Sequence, residues 1–237
     1  MTPVLELEAV HAYYDKSHVL QGVSLKVGRG EIVSLLGRNG SGRSTTVKSI
    51  MGLVRPAQGR VLLDGRDVAG ERAYRICSSG IAYVPEEREI FANITVEENL
   101  RIGIQPPRAG VAAWTIDQMY VFFPQLKVRR DTAAGMLSGG EQQMLTMCRA
   151  LLGNPFVVLI DEPTEGLAPK IVEVVTDMIR EITRRGVAVL LVEQKLTVAM
   201  RVSNRVYVMG HGQVVFEGTP ETLRNSPEVR RNWLEVN

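Results

Sequence analysis

The chain has 237 residues, 45% hydrophobic and 23% charged, an ordinary globular composition with room for one large domain or two small ones. Its 28 basic and 26 acidic residues leave a net charge of +2, so charge makes no case for a nucleic-acid partner. Its longest apolar runs, such as Val187 to Val192, fall far short of a membrane span. The segment Met1-Thr2-Pro3-Val4-Leu5-Glu6 lacks a basic region followed by a long apolar one, so no signal peptide is expected, and any membrane role must come through a partner. Cys77 and Cys148 match no metal or redox spacing. Both have apolar neighbours and read as small core residues of a reduced cytosolic protein.

Val4 to Val10 alternates Leu5 and Leu7 with Glu6 and Glu8, as a half-buried strand does. Val23, Leu25 and Val27 repeat the alternation before the turn Gly28-Arg29-Gly30. Arg60 to Leu63 is another strand, closed by Asp64-Gly65. These segments predict an antiparallel layer. Between the first two lies His11-Ala12-Tyr13-Tyr14-Asp15, where an aromatic either stacks on a purine or fills the gap between two layers.

The apolar strand Glu31 to Leu36 runs into Gly37-Arg38-Asn39-Gly40-Ser41-Gly42-Arg43-Ser44-Thr45, and a helical segment from Thr45 to Met51 leaves it. Strand, glycine-rich loop and helix form the context of a phosphate-binding loop. The glycines admit backbone amides to a polyphosphate, the helix start points its positive dipole end at the anion, and Ser44 offers a hydroxyl to Mg2+. The pattern wants lysine where this chain has Arg43.

Ile81 to Val84 is a short strand ending at Pro85-Glu86-Glu87-Arg88-Glu89, a charge run that reads as a solvated loop. Asn93 to Leu152 reads mainly as helix and loop. Thr95 with Glu98 forms a capping box, Pro106-Pro107 and Gly110 mark a loop, and Trp114, Tyr120, Phe122 and Phe123 cluster as the core of a small helical subdomain. Leu137-Ser138-Gly139-Gly140-Glu141-Gln142-Gln143 then opens an amphipathic helix. Its start is either a second anion-accepting helix end or an ordinary serine cap.

Val157 to Ile160 is fully apolar and delivers Asp161-Glu162 at its carboxyl end. Carboxylates there are costly unless charge meets them; Asp161 can hold a metal shell and Glu162 can polarise an attacking water. Ile171, Val174, Val175, Met178, Ile179 and Ile182 share one helix face, and Val187 to Val192 is a buried strand ending in Glu193-Gln194. Strand, helix, strand implies a parallel crossover, with the glycine loop, Asp161-Glu162 and Gln194 at one sheet edge. Arg205 to Met209 and Gln213 to Phe216 form a hairpin across Gly210-His211-Gly212, and a charged tail ends the chain.

This order of motifs resembles the ATP-binding-cassette ATPase family over nearly the whole chain. Gly37 to Thr45 looks like its Walker A loop, Leu137 to Gln142 like its signature, and Leu159-Ile160-Asp161-Glu162-Pro163-Thr164 like its Walker B with catalytic glutamate. The resemblance implies an α/β fold: a P-loop NTPase (RecA-like) core with a mainly parallel sheet, an antiparallel β subdomain and a helical subdomain. One cassette is implied, with residues 1–92 and 153–237 as core and about 93–152 as the helical part, which contacts a membrane partner. ATP and Mg2+ are the implied substrate and metal. Tyr14 matches the adenine-stacking aromatic, with Gly37, Asn39, Gly40, Ser41, Gly42, Arg43, Ser44 and Thr45 around the nucleotide. Ser44 and Asp161, with Glu86 as a weaker candidate, stand at the metal, and Glu162 and Gln194 are the implied catalytic pair.

Val84-Pro85-Glu86, Thr95 to Leu100, Glu162 to Pro169 and Leu191 to Gln194 are similar to the second ATPase of branched-chain amino-acid importers and to urea and amide importer ATPases. There Gln194 replaces a histidine, and Glu165-Gly166-Leu167-Ala168 lacks the usual aspartate. The implied partners are a paralogous ATPase bound head to tail, two membrane permease subunits and, indirectly, a solute-binding protein, with no nucleic acid. In that dimer Ser138, Gly139, Gly140 and Gln142 would clamp ATP held by the partner. The implied location is peripheral, on the cytoplasmic face of a bacterial plasma membrane. Arg43 leaves two readings open: an active importer ATPase that tolerates arginine, or a nucleotide-binding half-site whose partner hydrolyses.

Overall fold

The structure is a computed structural model describing residues 3–109 and 113–235. Met1, Thr2 and the expected loop residue Gly110 lie outside them. In chain order the elements are β1 (Leu5–Tyr14), β2 (Ser17–Val27), β3 (Ile32–Gly37), α1 (Arg43–Ile50), β4 (Gln58–Leu63), β5 (Arg66–Asp67), α2 (Ala73–Ser79) and β6 (Ile81–Val84). There follow α3 (Val96–Gly103), α4 (Ile116–Phe122), α5 (Pro124–Val128), a short 3-10 turn and α6 (Gly139–Leu151). The chain closes with β7 (Val157–Asp161), α7 (Pro169–Arg184), β8 (Ala188–Val192), α8 (Leu196–Val202), β9 (Arg205–Gly210), β10 (Gln213–Gly218), α9 (Pro220–Arg224) and α10 (Pro227–Trp233).

Two sheets form. The antiparallel layer runs β2-β1-β4-β5, and the larger sheet runs β10-β9-β3-β8-β7-β6. In the larger sheet β9, β3, β8, β7 and β6 are parallel, and only β10 returns antiparallel. Strands covered on both faces need apolar residues throughout, and β3, β7 and β8 are buried along their whole length. Their side chains alternate between two cores. Ile32, Val158, Ile160, Val189 and Leu191 face α7 and the helical region. Val33, Leu35, Val157, Leu159 and Leu190 face α1 and the antiparallel layer.

β1 continues past the expected end at Val10. It passes an irregularity at Ala9 (φ 45°) and pairs again with β2 from Val10 onward. Trp114, Tyr120 and Phe123 are buried and Phe122 is partly so, as the aromatic cluster predicts, but they join one continuous core with the parallel sheet. The Thr95–Glu98 capping box is present.

One expectation is corrected. Cys148 is buried, but Cys77 is exposed, because α2 is too short to bury more than the stripe at Ile76. The charged tail is folded: α9 starts at a Thr219 cap, and Leu223 and Trp233 pack on Val206 and Val208.

Candidate active site

Parallel strands end on one side, so β3, β6, β7 and β8 bring their carboxyl ends to one edge. A cavity of about 280 Å3 opens there. It is lined by residues 39–45 of the glycine loop with Glu86, Glu162, Glu165 and Gln194.

The loop is shaped for close approach. Gly42 has φ 104°, and a Cβ there would lie 2.9 Å from Leu20 Cδ2. A Cβ on Gly37 would lie 2.7 Å from the Met209 carbonyl oxygen. Gly42 caps α1 without a side-chain hydrogen bond, and the first turn of α1 holds no acidic residue. Its leading amides are therefore free for an anion. Ser41 Oγ is buried with no hydrogen-bond partner among the described residues. A phosphate oxygen would satisfy these groups, so the cradle fits ATP.

Asp161 and Glu162 sit in different surroundings. Asp161 is buried, its Oδ1 accepts from Ser44 Oγ at 3.2 Å, and Oδ2 meets Tyr83 Oη at 3.5 Å. Burial raises its carboxyl above the ordinary value; the Ser44 hydrogen bond opposes this and the Glu162 charge adds to it. A buried carboxylate beside a hydroxyl, with no cation in hydrogen-bond contact among the described residues, fits Mg2+. Glu162 adopts φ 45°, an uncommon backbone state for a residue with a side chain. Its Oε2 accepts from the Gln194 amide at 2.9 Å, and its Oε1 lies 2.7 Å from Arg43 Nη1. Both side chains of this pair are only 7% exposed. Arg43 Nη2 donates to Asn39 Oδ1 at 3.2 Å.

The structure thus brings together Asn39, Gly40, Ser41, Gly42, Arg43, Ser44, Thr45, Asp161, Glu162, Gln194 and Glu86. Gln194 contributes its backbone amide as well as a place in the wall. Glu86 is exposed at the rim, and its carboxyl is raised by partial burial and by Glu165 and Asp161 nearby. Tyr14 lies apart, at the exposed end of β1. Tyr13 stacks on His18 at 4.2 Å, and both tyrosines are at least 40% exposed, so neither fills the gap between the layers. Ser138, Gly139, Gly140 and Gln142 do not line the cavity. Ser138 caps α6 with Glu141 in a capping box, the ordinary serine cap that the sequence allowed.

Sequence reasoning gave no role to Glu193, which is 1% exposed. Its carboxylate accepts from Thr164 Oγ1 at 2.9 Å and from the Lys195 amide at 3.0 Å, while Lys195 Nζ donates to the Thr164 carbonyl at 2.8 Å. This network ties the chain after Glu162 to the chain before Gln194. Glu193 was legible only as an acidic residue next to Gln194 at a buried strand's end. Arg88 was read as part of a solvated loop, but its guanidinium lies against Gly139. Its carbonyl accepts from the Thr146 hydroxyl on α6, and Asn99 Oδ1 accepts from the Phe91 amide at 3.0 Å. The loop is fastened to the helical region.

The model of a family described as ABC transporter matches residues 20–165. The chain is 39% identical over 231 residues to the high-affinity branched-chain amino acid transport ATP-binding protein BraG of Pseudomonas aeruginosa, covering 98% of this chain and 99% of that protein. It is 35% identical to the lipopolysaccharide export system ATP-binding protein LptB of Haemophilus influenzae, covering 98% and 97%. Among solved structures, the ADP conformation of MJ1267, an ATP-binding cassette of an ABC transporter, superposes with a TM-score of 0.81 at 26% identity, covering 98% of each chain.

Proposed function

The chain belongs to the ABC transporter family, and from that premise we propose that its cavity hydrolyses ATP to drive uptake of branched-chain amino acids through partner membrane subunits. Members of the family hydrolyse ATP coupled to transport, with Mg2+ as the usual metal. The observation that carries the assignment of residues is Glu162, held by the Gln194 amide beside the open start of α1 and next to a buried Asp161.

In this reading the amides of residues 40–45 and Arg43 bind the phosphates. Ser44 and Asp161 hold Mg2+, which when bound neutralises phosphate charge. Glu162 orients and polarises the water, and its backbone conformation turns the carboxylate from the strand toward the loop. Gln194 keeps that carboxylate in place. Tyr14, exposed at 47%, offers a free aromatic face for adenine.

The start of α6 is outside the cavity, and by the likeness to transporter ATPases Ser138, Gly139, Gly140 and Gln142 would act on nucleotide held by a second cassette bound head to tail, a paralogue of this chain. The loop 86–91 links Glu86 at the cavity rim to a groove of about 700 Å3 between α2, β6 and the helical region, where Tyr74, Phe91 and Ile102 are more than half exposed. This apolar surface suits a permease segment. No helix among the described residues is long and apolar enough to cross a membrane, which agrees with a peripheral place on the cytoplasmic face.

The solute is carried by the likeness to BraG. The likeness to LptB favours a second reading, an ATPase of lipopolysaccharide export. Purification of the chain with its permease subunits, followed by uptake of labelled leucine into vesicles, separates the two. ATP-dependent leucine uptake supports the importer, and ATP turnover without it, stimulated by lipopolysaccharide, supports the exporter. In the same assembly Arg43→Lys tests the half-site reading. A large rise in turnover would make Arg43 a brake on this site, and an unchanged rate would make it an accepted substitute.

A further inference from the structure

We propose that Arg43 is a positioning residue that holds Glu162 in the nucleotide-free protein and exchanges it for the nucleotide's phosphates, so that ATP entry itself frees the carboxylate. The inference rests on the cavity being the nucleotide site.

Both members of the pair are anchored by their other ends. Arg43 is tied to the loop through Asn39, and Glu162 to the end of β8 through the Gln194 amide. Between them, Nη1 and Oε1 approach to 2.7 Å, yet neither atom has an aligned hydrogen bond among the described residues. The contact is held by charge rather than by directed geometry, and it can be exchanged without breaking either anchor.

Charge in the cavity makes exchange necessary. Arg43 is the only cation among the described residues lining it, against Glu86, Glu162 and Glu165, with Asp161 behind. An entering polyphosphate meets one guanidinium, already engaged, and several carboxylates. It must compete with Glu162 for Arg43, and by reciprocity the pair weakens nucleotide binding by the factor by which nucleotide weakens the pair. Arginine suits this where lysine does not: the planar fork reaches Asn39 with one nitrogen and Glu162 with another, whereas an ammonium is a single point.

The test is a double-mutant cycle on the purified full chain with Arg43→Gln, Glu162→Gln and both, read by thermal unfolding without nucleotide and with saturating ADP and Mg2+. ADP cannot be turned over, so hydrolysis does not enter. Without nucleotide, each single change is expected to lower Tm by roughly 5–10 °C, because it leaves a buried charge alone, and the double change to lower it by no more than either. With ADP the coupling should vanish. ADP should also bind Glu162→Gln about tenfold more tightly than the unaltered chain, an advantage that shrinks when Arg43→Gln is added. Arg43→Lys keeps the charge and guards against a variant that fails to fold; its coupling to Glu162 should be less than half that of arginine. Additive Tm shifts without nucleotide, or coupling undiminished by ADP, would overturn the exchange. Coupling in a chain that binds no nucleotide would overturn the nucleotide reading and the exchange with it.

Discussion

The helices α1 and α6 both open on glycine-rich turns, but they satisfy their first amides differently. Gly42 gives α1 no side-chain cap and its first turn no acidic residue, so its dipole end faces a cavity with nothing of its own to hold. At α6, Ser138 and Glu141 close a capping box, with Ser138 N donating to Glu141 Oε2 at 2.8 Å and the Glu141 amide to Ser138 Oγ at 3.4 Å. One helix start shares a single cavity with the loop, carboxylates and a cation of the same chain. The other is capped and lines no part of that cavity among the described residues, and in the proposed head-to-tail pair it would meet nucleotide held by a second cassette. On the proposed reading, an open helix end and a capped one divide the work between binding nucleotide and closing over a neighbour's.

Four changes sharpen or break that contrast. The largest effect is expected for Glu162→Gln in the assembled transporter. Phosphate release should fall about a hundredfold or more, the usual contribution of a positioned base, while nucleotide still binds. If the unaltered protein already turns over at that floor, the site on this chain is not the hydrolytic one. Next, Gly42→Ala forces a side chain into φ 104° and against Leu20, which should cost about 2 kcal/mol in chemical denaturation and abolish nucleotide binding by the single chain. Gly140→Ala provides the counterpart. Its Cβ would lie 3.3 Å from Ile171 Cγ2 in an ordinary helical position, so stability should change by under about 1 kcal/mol while turnover in the assembly falls. Ser138→Ala removes the α6 cap and should cost about 1 kcal/mol, with ADP binding by the single chain unchanged. Weakened ADP binding there would mean that the two helix starts do the same job.

The smallest effects concern pH, and their signs are opposed. Burial pushes Glu141 up, but the hydrogen bonds of the Ser138 side chain and backbone outweigh it, so its carboxyl lies below 4.5. A depressed carboxyl gives stability that is complete above its unfolded value and lost as pH falls through the folded one; Glu141→Gln should remove that acid loss. Glu193 lies above 4.5, chiefly through burial, despite its hydrogen bonds from Lys195 and Thr164. The fold then holds its proton more tightly than the unfolded chain, so stability falls as pH rises from about 4.5 through the folded value. Glu193→Gln should flatten the unfolding curve in that window.

Much of this was written in the chain because it is local. The glycines at 37, 40 and 42, the apolar run ending at Asp161-Glu162, the capping pair at Thr95 and the serine cap at Ser138 each declare themselves within a few residues. The convergence at one sheet edge followed from parallel strands alone. What stayed hidden depends on distant residues meeting. Arg43 read as a flaw in a loop, and its ion pair with Glu162 spans the whole helical region in sequence. Glu193, next to Gln194 at a strand's end, showed no role until Thr164 came beside it. Arg88 sat in a run of charges that solvates a loop in most sequences, yet here packs against Gly139. Cys77 misled because apolar neighbours along a short helix do not share a face. The C-terminal helices were missed because charged residues mask the few that pack, Leu223 and Trp233.

The central claim, a site complete for binding but incomplete for turnover on one chain, is tested most directly by measuring both at a series of protein concentrations. ADP binding per chain should be independent of concentration. ATP hydrolysis per chain should fall steeply on dilution and recover when an excess of catalytically dead Glu162→Gln chain, or of the paralogous ATPase, supplies intact α6 starts. Hydrolysis per chain that stays constant on dilution to the single-chain form would contradict it.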